Sequence, residues 1–155
     1  MSFEIAVSFV LGLEGGYSND RRDPGGETKY GISRRAFPWM NIKTLTHEGA
    51  VEIYRKYYWD AAGCNDLPWP LAGYVFDGAV NQGVMATVRN LQAALGVKVD
   101  GIIGPVTILA AQSNAKEQAA LFMAERASDY MKLSSFSVYG RGWMKRLFLV
   151  AGEFT

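Results

Sequence analysis

The sequence predicts a mainly α-helical protein that folds as a single domain. Its 155 residues suit one compact unit. Apolar residues recur along most of the chain at the three- and four-residue spacing of helices, and glycine or proline stands at the breaks. The stretch from Tyr17 to Ile32 departs from this pattern because it is rich in polar residues and glycine. We therefore expect a helical fold with one short loop or small β-hairpin.

Each helix is predicted from apolar spacing together with a capping residue or a break. The first begins at Ser2, whose hydroxyl suits an N-cap, and ends at the glycine pair after Glu14. The others are expected at about residues 46–59, 71–82, 87–95, from 105 onward, 114–133 and 142–150. A loop is expected at residues 134–137. Four residues of the second helix should share its buried face: Ala50, Ile53, Tyr54 and Tyr57.

An apolar helix leads directly into Glu14. Four apolar residues precede this glutamate at helical spacing on its own face: Phe3, Val7, Val10 and Leu11. The carboxyl is therefore expected at the buried end of the helix, where burial disfavours the charged form and raises the pKa. A carboxyl that stays protonated near neutral pH can act as a general acid. The sequence thus predicts Glu14 as a proton donor.

A second carboxyl follows in a polar loop. Asp23 lies nine residues after Glu14 and is expected to stay solvated and charged. Glycoside hydrolysis uses two such carboxyls, one to protonate the leaving oxygen and one to handle water or the cationic sugar. Thr28 follows with a hydroxyl able to orient water. These three residues are the predicted catalytic set, and both the retaining and the inverting mechanism stay open because spacing along the chain gives no carboxyl separation.

Four strings, in this order, resemble glycoside hydrolase family 108: EGGYSND, DPGGETKYGIS, YRKYYW and FDGAVNQG. The likeness spans nearly the whole chain and implies a lysozyme-like helical fold. It also implies a bacterial or phage N-acetylmuramidase, or endolysin, that cleaves the β-1,4 bond between N-acetylmuramic acid and N-acetylglucosamine of peptidoglycan. The order of Glu14, Asp23 and Thr28 is similar to the catalytic triad of phage-type muramidases, in which the second gap is usually one residue longer.

A second motif, LQAALGVKVDGIIGPVT at residues 91–107, resembles peptidoglycan-binding segments. Its Asp-Gly pair suits a tight turn, and its Gly-Pro pair suits a helix start. We expect one lysozyme-like domain with a catalytic lobe at about residues 1–85 and a peptidoglycan-binding-like helical segment at about residues 86–155. A purely structural role of the segment as the second lobe stays open beside glycan binding.

Several aromatic and amide side chains are candidates for binding the sugar chain. Flat rings can stack on the apolar faces of pyranoses, and amides can bind sugar hydroxyls or the N-acetyl group. The candidates are Tyr17, Tyr30, Tyr58, Trp59, Asn81 and Gln82. Core packing is an alternative for Tyr58 and Trp59, and helix capping is one for the two amides. Asp77, one turn before Asn81, is expected to brace its helix.

Composition argues against several other function classes. The net charge of +1 is too small for a nucleic-acid-binding protein. Cys64 and His47 are the only residues of their types, so we expect no disulfide, no metal site and no cofactor. The apolar run at residues 3–13 lacks the basic flank of a signal peptide, and the run at 147–151 is too short to span a bilayer. No stable membrane insertion is expected.

These observations predict where the protein acts and leave two alternatives. We expect a monomer made in the bacterial or host cytoplasm without a signal peptide, which acts on the cell wall or periplasm, with holin-dependent release as one route. Peptidoglycan is the expected partner. A lytic transglycosylase is one alternative, because it also uses a single buried glutamate. A non-catalytic peptidoglycan-binding, morphogenesis or secretion-related protein is the other.

Overall fold

A computed structural model describes residues 2–13, 16–19, 26–113 and 115–154. The mainly α-helical fold with a small β-hairpin is confirmed. The helices are α1 (Ser2–Leu13), α2 (His47–Tyr54), α3 (Leu71–Gln82), α4 (Val84–Ala94), α5 (Pro105–Ala111), α6 (Ala115–Met131) and α7 (Phe136–Glu153). Strands β1 (Thr28–Lys29) and β2 (Ile32–Ser33) form an antiparallel pair, and single 3₁₀ turns lie at Ile42–Thr44 and Cys64–Asp66. The chain divides into two compact units, residues 3–57 and the residues from Tyr58 onward.

The first unit contains α1, the hairpin and α2. The buried face of α1 consists of Phe3, Ala6, Val7 and Val10. The hydroxyl of Thr46 caps α2 by accepting a hydrogen bond from the backbone N–H of Gly49 at 3.1 Å. The hydroxyl of Tyr54 in α2 donates a hydrogen bond to the backbone oxygen of Tyr30 at 2.9 Å, which ties the helix to the hairpin.

Helix α2 does not end at Tyr54 but continues as a π-helical turn over Arg55–Asp60. The sequence predicts Tyr57 on the buried face of this helix, and that prediction is wrong, since Tyr57 is 38% exposed. Trp59 is buried in its place. A π-helical turn contains about one more residue than an α-helical turn. The next residue on the same face as Tyr54 is therefore Trp59, five residues later, and not Tyr57, three residues later.

Helix α3 is the core of the second unit. All nine residues from Leu71 to Ala79 are buried, as expected of a helix that is surrounded by other elements. It packs against α4, α6 and α7, and α4 also packs against α6. Pro70 precedes α3, and Gly83, with φ +88°, separates it from α4. A positive φ at this position favours glycine, so the break predicted after Gln82 has a local cause.

The last helix is longer than the sequence predicts. Helix α7 begins at Phe136 rather than at Gly142, so the loop predicted at residues 134–137 is wrong in its second half. Gly140 is buried inside the helix and lies against the ring of Phe136, which a Cβ atom would approach to 2.7 Å. This glycine therefore serves close packing instead of ending the helix.

Within the described ranges, no helix combines the length and apolar character needed to cross a membrane. Cys64 is buried, and burial raises the pKa of its thiol. A protonated, inaccessible thiol is typical of a packing residue.

Candidate active site and its surroundings

Two of the three predicted catalytic residues, Glu14 and Asp23, lie outside the described residues. The structure describes the chain that leads into Glu14, because α1 runs to Leu13 with its apolar face buried. It also describes the chain that follows Asp23 from Gly26 onward. The described part of this region therefore consists of a helix with one buried face and a hairpin.

Thr28, the third predicted catalytic residue, lies on β1 and is bonded on two sides. Its backbone N–H and oxygen both pair with Ser18, each at 2.8 Å, while β1 pairs with β2 through Thr28 and Ser33. The hydroxyl donates a hydrogen bond to the backbone oxygen of Gly26 at 3.2 Å. Because the hydroxyl donor is used, its oxygen is left as an acceptor, which is the group that orients a water molecule.

Tyr17, a predicted sugar-binding residue, is positioned by the carboxylate of Glu27, which was not among the predicted site residues. Its hydroxyl donates a hydrogen bond to Oε1 of Glu27 at 2.8 Å, and Nε of Arg34 donates to Oε2 at 3.3 Å. The side chain of Glu27 is only 14% exposed. The hydrogen bond to Glu27 raises the pKa of the Tyr17 phenol because it favours the neutral, donating form.

Tyr30, the second predicted sugar-binding tyrosine, occupies a backbone conformation that side chains disfavour. Tyr30 and Gly31 have φ values of +52° and +75°, which are the two positive angles of a tight two-residue hairpin turn. Asparagine and glycine are the usual residues there, and a bulky residue is an outlier. The ring lies edge-on to His47, with 5.8 Å between centroids, and Nζ of Lys29 lies 5.4 Å from its centre. The hairpin thus holds a strained tyrosine at its tip.

Tyr58 and Trp59 lie on the π-helical turn but differ in their surroundings. Trp59 is 2% exposed, packs edge-on against Phe76, and donates its indole N–H to Oδ1 of Asn65 at 2.7 Å. These surroundings are those of a core residue, and the predicted contact of Trp59 with sugar stays a prediction. Tyr58 is half-buried, and burial raises the pKa of its phenol.

Asn81 and Gln82 end α3 beside a cavity of about 500 Å³. Nδ2 of Asn81 donates to the backbone oxygen of Asp77 at 2.7 Å and to Oδ1 of the same residue at 3.3 Å. Gln82 exchanges two hydrogen bonds with Arg126. Its Nε2 donates to the backbone oxygen at 3.2 Å, and its Oε1 accepts from Nε at 2.7 Å. Both amides are thus fixed in orientation at the cavity.

A buried ion cluster lies behind these amides. Oδ2 of Asp77 accepts from Nη2 of Arg126 at 2.8 Å, and both side chains are fully buried. Oδ1 accepts from Nε of Arg146 at 2.9 Å. Asp77, expected to brace its own helix, therefore joins α3 to α6 and α7. Breaking one partner of a buried pair costs several kcal/mol, roughly 3 to 5, so this cluster holds the end of α3 firmly.

The polar residues of the 91–107 motif bind one another. Oε1 of Gln92 accepts from the backbone N–H groups of Asp100 and Gly101 at 3.0 and 2.7 Å. Its Nε2 contacts Oδ1 of Asp100, the backbone oxygen of Ile102 and the hydroxyl of Thr107 at 2.8 to 3.3 Å. The motif residues thus lock the turn between α4 and α5. Within the described residues, no group of three histidine, cysteine, aspartate or glutamate side chains is arranged to hold a metal ion.

Comparison with known proteins decides the family. Residues 7–83 match the family described as Glycosyl hydrolase 108, and residues 86–148 match the one described as Predicted Peptidoglycan domain. The solved structure of Brucella abortus SagA is similar to this chain with a TM-score of 0.85 at 32% sequence identity, over 96% of this chain and 91% of that one. The chain belongs to glycosyl hydrolase family 108. A search of curated proteins found no match.

Membership confirms the lysozyme-like helical fold and the enzyme class that the sequence predicts. The family 108 protein is a glycoside hydrolase, and with its C-terminal peptidoglycan domain it is a peptidoglycan hydrolase whose partner is peptidoglycan. Glu27, Tyr130 and Trp143 are neighbours of the predicted site residues that were not predicted from the sequence. The four-residue spacing of Tyr139 and Trp143, which places both rings on one helix face, is a signal in the sequence that points to Trp143.

Proposed function

We propose that the protein is an N-acetylmuramidase that hydrolyses the β-1,4 bond between N-acetylmuramic acid and N-acetylglucosamine. The observation that carries this proposal is the hairpin whose first strand begins at Thr28. There the hydroxyl of Thr28 is fixed by backbone pairing with Ser18 and presents an acceptor for water. Glu14 directly follows α1, whose apolar face is buried, and lies within the part of the chain that matches the glycoside hydrolase family, which supports the role of general acid.

In the proposed reaction, Glu14 gives its proton to the glycosidic oxygen as the bond to the anomeric carbon of N-acetylmuramic acid breaks. Asp23 stabilises the oxocarbenium-like sugar or positions the attacking water, and Thr28 accepts a hydrogen bond from that water. Water adds to the anomeric carbon, and the proton that it loses passes to the two carboxylates, so that Glu14 is protonated again for the next turnover. The products are a reducing N-acetylmuramic acid end and a free hydroxyl on N-acetylglucosamine.

The remaining predicted site residues are proposed to bind the glycan. Tyr30 lies in the hairpin turn, and Tyr17 lies next to Ser18, the bridge partner of β1. Each is held by a hydrogen bond, through its phenol in Tyr17 and through its backbone oxygen in Tyr30. Asn81 and Gln82 present amides at the end of α3, and Tyr58 is proposed as a further ring contact. We assign catalysis to the lobe at about residues 1–85 and wall contact to residues 86–155.

We also propose the biological setting that the sequence predicts. The enzyme is made in the bacterial cytoplasm, acts as a monomer, and reaches the wall through a holin or an equivalent route as a bacteriolytic phage or prophage endolysin. The support is the pair of family matches, to Glycosyl hydrolase 108 and to Predicted Peptidoglycan domain, because their substrate is the bacterial cell wall.

The decisive experiment is mass spectrometry of the fragments that wild-type and Glu14→Gln proteins release from purified peptidoglycan. Wild type is expected to release reducing muropeptides, and reductive labelling is expected to place the label on N-acetylmuramic acid. Glu14→Gln is expected to release none, because glutamine is similar in shape but cannot donate the proton. Asp23→Asn and Thr28→Ala are expected to release fewer fragments than wild type.

Glu52→Gln is the matched control because it makes the same exchange at an exposed position of α2. It should release fragments at the wild-type rate, and circular dichroism should show all variants folded. Anhydro ends on the products would replace the proposal with a lytic transglycosylase. Binding to the wall without release of fragments by wild type would replace it with a non-catalytic wall-binding protein. Label on N-acetylglucosamine would mean that the other glycosidic bond is cut.

A further inference from the structure

The cavity beside Asn81 and Gln82 has the size and lining of a small-molecule site. It measures about 500 Å³, and its walls come from the end of α3, the start of α4, the end of α6 and the middle of α7. Sites for small ligands usually have volumes of roughly 300 to 1,000 Å³ and combine apolar walls with a few fixed polar groups. The residues that matter here are Asn81, Gln82, Asp129, Tyr130, Lys132 and Trp143.

One wall of the cavity is aromatic and rigid. The rings of Tyr130 and Trp143 are stacked with 4.9 Å between centroids and 16° between planes. Tyr139 lies one turn before Trp143 on α7, with its ring 5.9 Å away, and is largely exposed. Stacking of this kind fixes the rings before a ligand arrives, so little conformational entropy is lost on binding. Such a wall suits a flat ligand with an apolar face.

The lining of the cavity also offers hydrogen-bond acceptors. Asn81 uses its amide N–H groups on Asp77, and within the described residues no group donates a hydrogen bond to its amide oxygen. The carboxylate of Asp129 accepts from Nδ2 of Asn90 at 2.7 Å and from Nζ of Lys132 at 3.2 Å, and further lone pairs remain. The pairing of Asp129 with Lys132 leaves this lining close to neutral. A neutral ligand that carries several donors fits these acceptors better than an ion does.

We propose that this cavity binds an N-acetylated pyranose of the glycan strand. The C–H face of the sugar packs on the wall of Tyr130 and Trp143, its amide N–H donates to the oxygen of Asn81, and a ring hydroxyl donates to Asp129. The proposal rests on the proposed function in that the natural ligand is the peptidoglycan strand. It adds Trp143, Tyr130 and Asp129 to the residues that select the substrate.

The test is a calorimetric titration of the Glu14→Gln protein with the β-1,4-linked tetramer of N-acetylglucosamine, which carries the sugar chemistry without a peptide. Adding Trp143→Ala is expected to raise Kd about tenfold, a loss usual for a central aromatic contact. Adding Asn81→Ala is expected to raise Kd about fivefold. Trp39→Ala makes the same exchange at a tryptophan that is 71% exposed in the first unit, and it is expected to leave Kd unchanged.

A second variant covers the case in which Trp143→Ala disturbs α7. Ala86→Phe places a ring in the cavity from the wall of α4 without removing any contact, and it is also expected to raise Kd about tenfold. Unchanged Kd in Ala86→Phe and Trp143→Ala, or no binding of the tetramer to the parent protein, would overturn the proposal. A free stem tetrapeptide that binds in place of the tetramer, and loses affinity in these variants, would overturn it in favour of peptide recognition.

Failure of this proposal and failure of the proposed function give different results. In the otherwise wild-type protein, Trp143→Ala is expected to raise KM for solubilised glycan strands about tenfold while kcat stays within about twofold. If wild type releases no fragments, the proposed function fails, and the tetramer titration still decides the cavity. If fragments appear with normal KM in Trp143→Ala, only the cavity proposal fails.

Discussion

Two tight turns of this molecule contain positive φ angles but differ in the type of residue that adopts them. The hairpin turn of the first unit places Tyr30 at φ +52°, and the turn of the second unit places Gly101 at φ +82°. Glycine adopts such angles without strain, whereas a tyrosine pays roughly 1 to 3 kcal/mol. The second turn follows local backbone preference, and the first violates it.

The two turns also differ in how many hydrogen bonds their surroundings supply. Around Gly101, the side chain of Gln92 binds the backbone on both sides of the turn and leaves its amide atoms fully used. Around Tyr30, one backbone oxygen is bonded to Tyr54, and the ring lies at the tip of the hairpin. Strain that persists next to predicted catalytic residues is typical of a functional site. Polar groups that satisfy one another are typical of a structural motif.

The largest effect is expected from removing the side chain that organises the second turn. The amide of Gln92 is buried, and Gln92→Ala removes all of its hydrogen bonds, including those from the N–H groups of Asp100 and Gly101. Each such bond contributes about 0.5 to 1.5 kcal/mol. We expect a loss of about 3 kcal/mol in the free energy of unfolding, measured by urea denaturation. Turnover per folded molecule should stay at the wild-type value.

Gln112→Ala is the control for this change, since Gln112 is exposed at the end of α5. Its free energy of unfolding should stay within about 0.5 kcal/mol of wild type. The structural role of the second turn would be contradicted if Gln92→Ala kept its stability but lost binding to purified wall. That result would make the 91–107 motif a glycan-binding surface rather than a structural lock.

Local patterns in the sequence predict most of the fold but not its irregular turns. Apolar spacing and glycine or proline breaks identify α1, α3 and α6, because these signals act between neighbours in the chain. The early start of α7 escapes prediction because Gly140 resembles a helix breaker and is instead a packing position for Phe136. The π-helical turn escapes too, since a single five-residue step does not stand out in a short apolar run.

Local sequence patterns also fail to predict the contacts at the site that join residues far apart in the chain. Thr28 and Tyr17 are predicted as site residues from the motif in which they lie. The contact between Asp77 and Arg126 joins residues 49 positions apart, and no spacing rule predicts it. The stack of Tyr130 on Trp143 likewise joins two helices across a turn. The local sequence therefore predicts residue types at the site, whereas packing decides which side chains support them.

A smaller effect is expected from relieving the strain of the hairpin turn. Tyr30→Gly and Tyr30→Ala both remove the ring, but only glycine accepts φ +52° without steric cost. We expect Tyr30→Gly to be more stable than Tyr30→Ala by about 1 kcal/mol in urea denaturation. Both variants should lose turnover of peptidoglycan to the same extent, because both lack the proposed sugar platform.

Each half of this result tests a separate statement. Equal stability of the glycine and alanine variants would mean that the turn stores no strain, which would remove the contrast with Gly101. Wild-type turnover in both variants would remove Tyr30 from the proposed sugar-binding residues. Far-ultraviolet circular dichroism of each variant verifies that the helices remain folded.

The smallest expected effect is on the pH dependence of stability and concerns Asp100 in the second turn. Hydrogen bonds from Gln92 and from the backbone N–H of Ile102 hold the pKa of Asp100 below its usual range, because both favour the carboxylate. A carboxyl whose pKa is lowered on folding adds stability above its unfolded pKa, about 3.9, and loses that contribution as pH falls through its folded pKa. Wild type should therefore lose stability in acid partly through Asp100.

Asp100→Asn is expected to flatten this acid dependence between about pH 2 and pH 5, because asparagine keeps an acceptor oxygen but does not titrate. Urea midpoints measured across that range give the slope, and Asp66→Asn, at an exposed aspartate in the same unit, should leave the slope as in wild type. Combining Asp100→Asn with Gln92→Ala should flatten it no further, since both changes act on one hydrogen bond. If the two changes instead reduce the pH slope additively, Gln92 and Asp100 stabilise the turn independently. The second turn would then not be held by side chains that bind each other, which is the feature that distinguishes it from the hairpin.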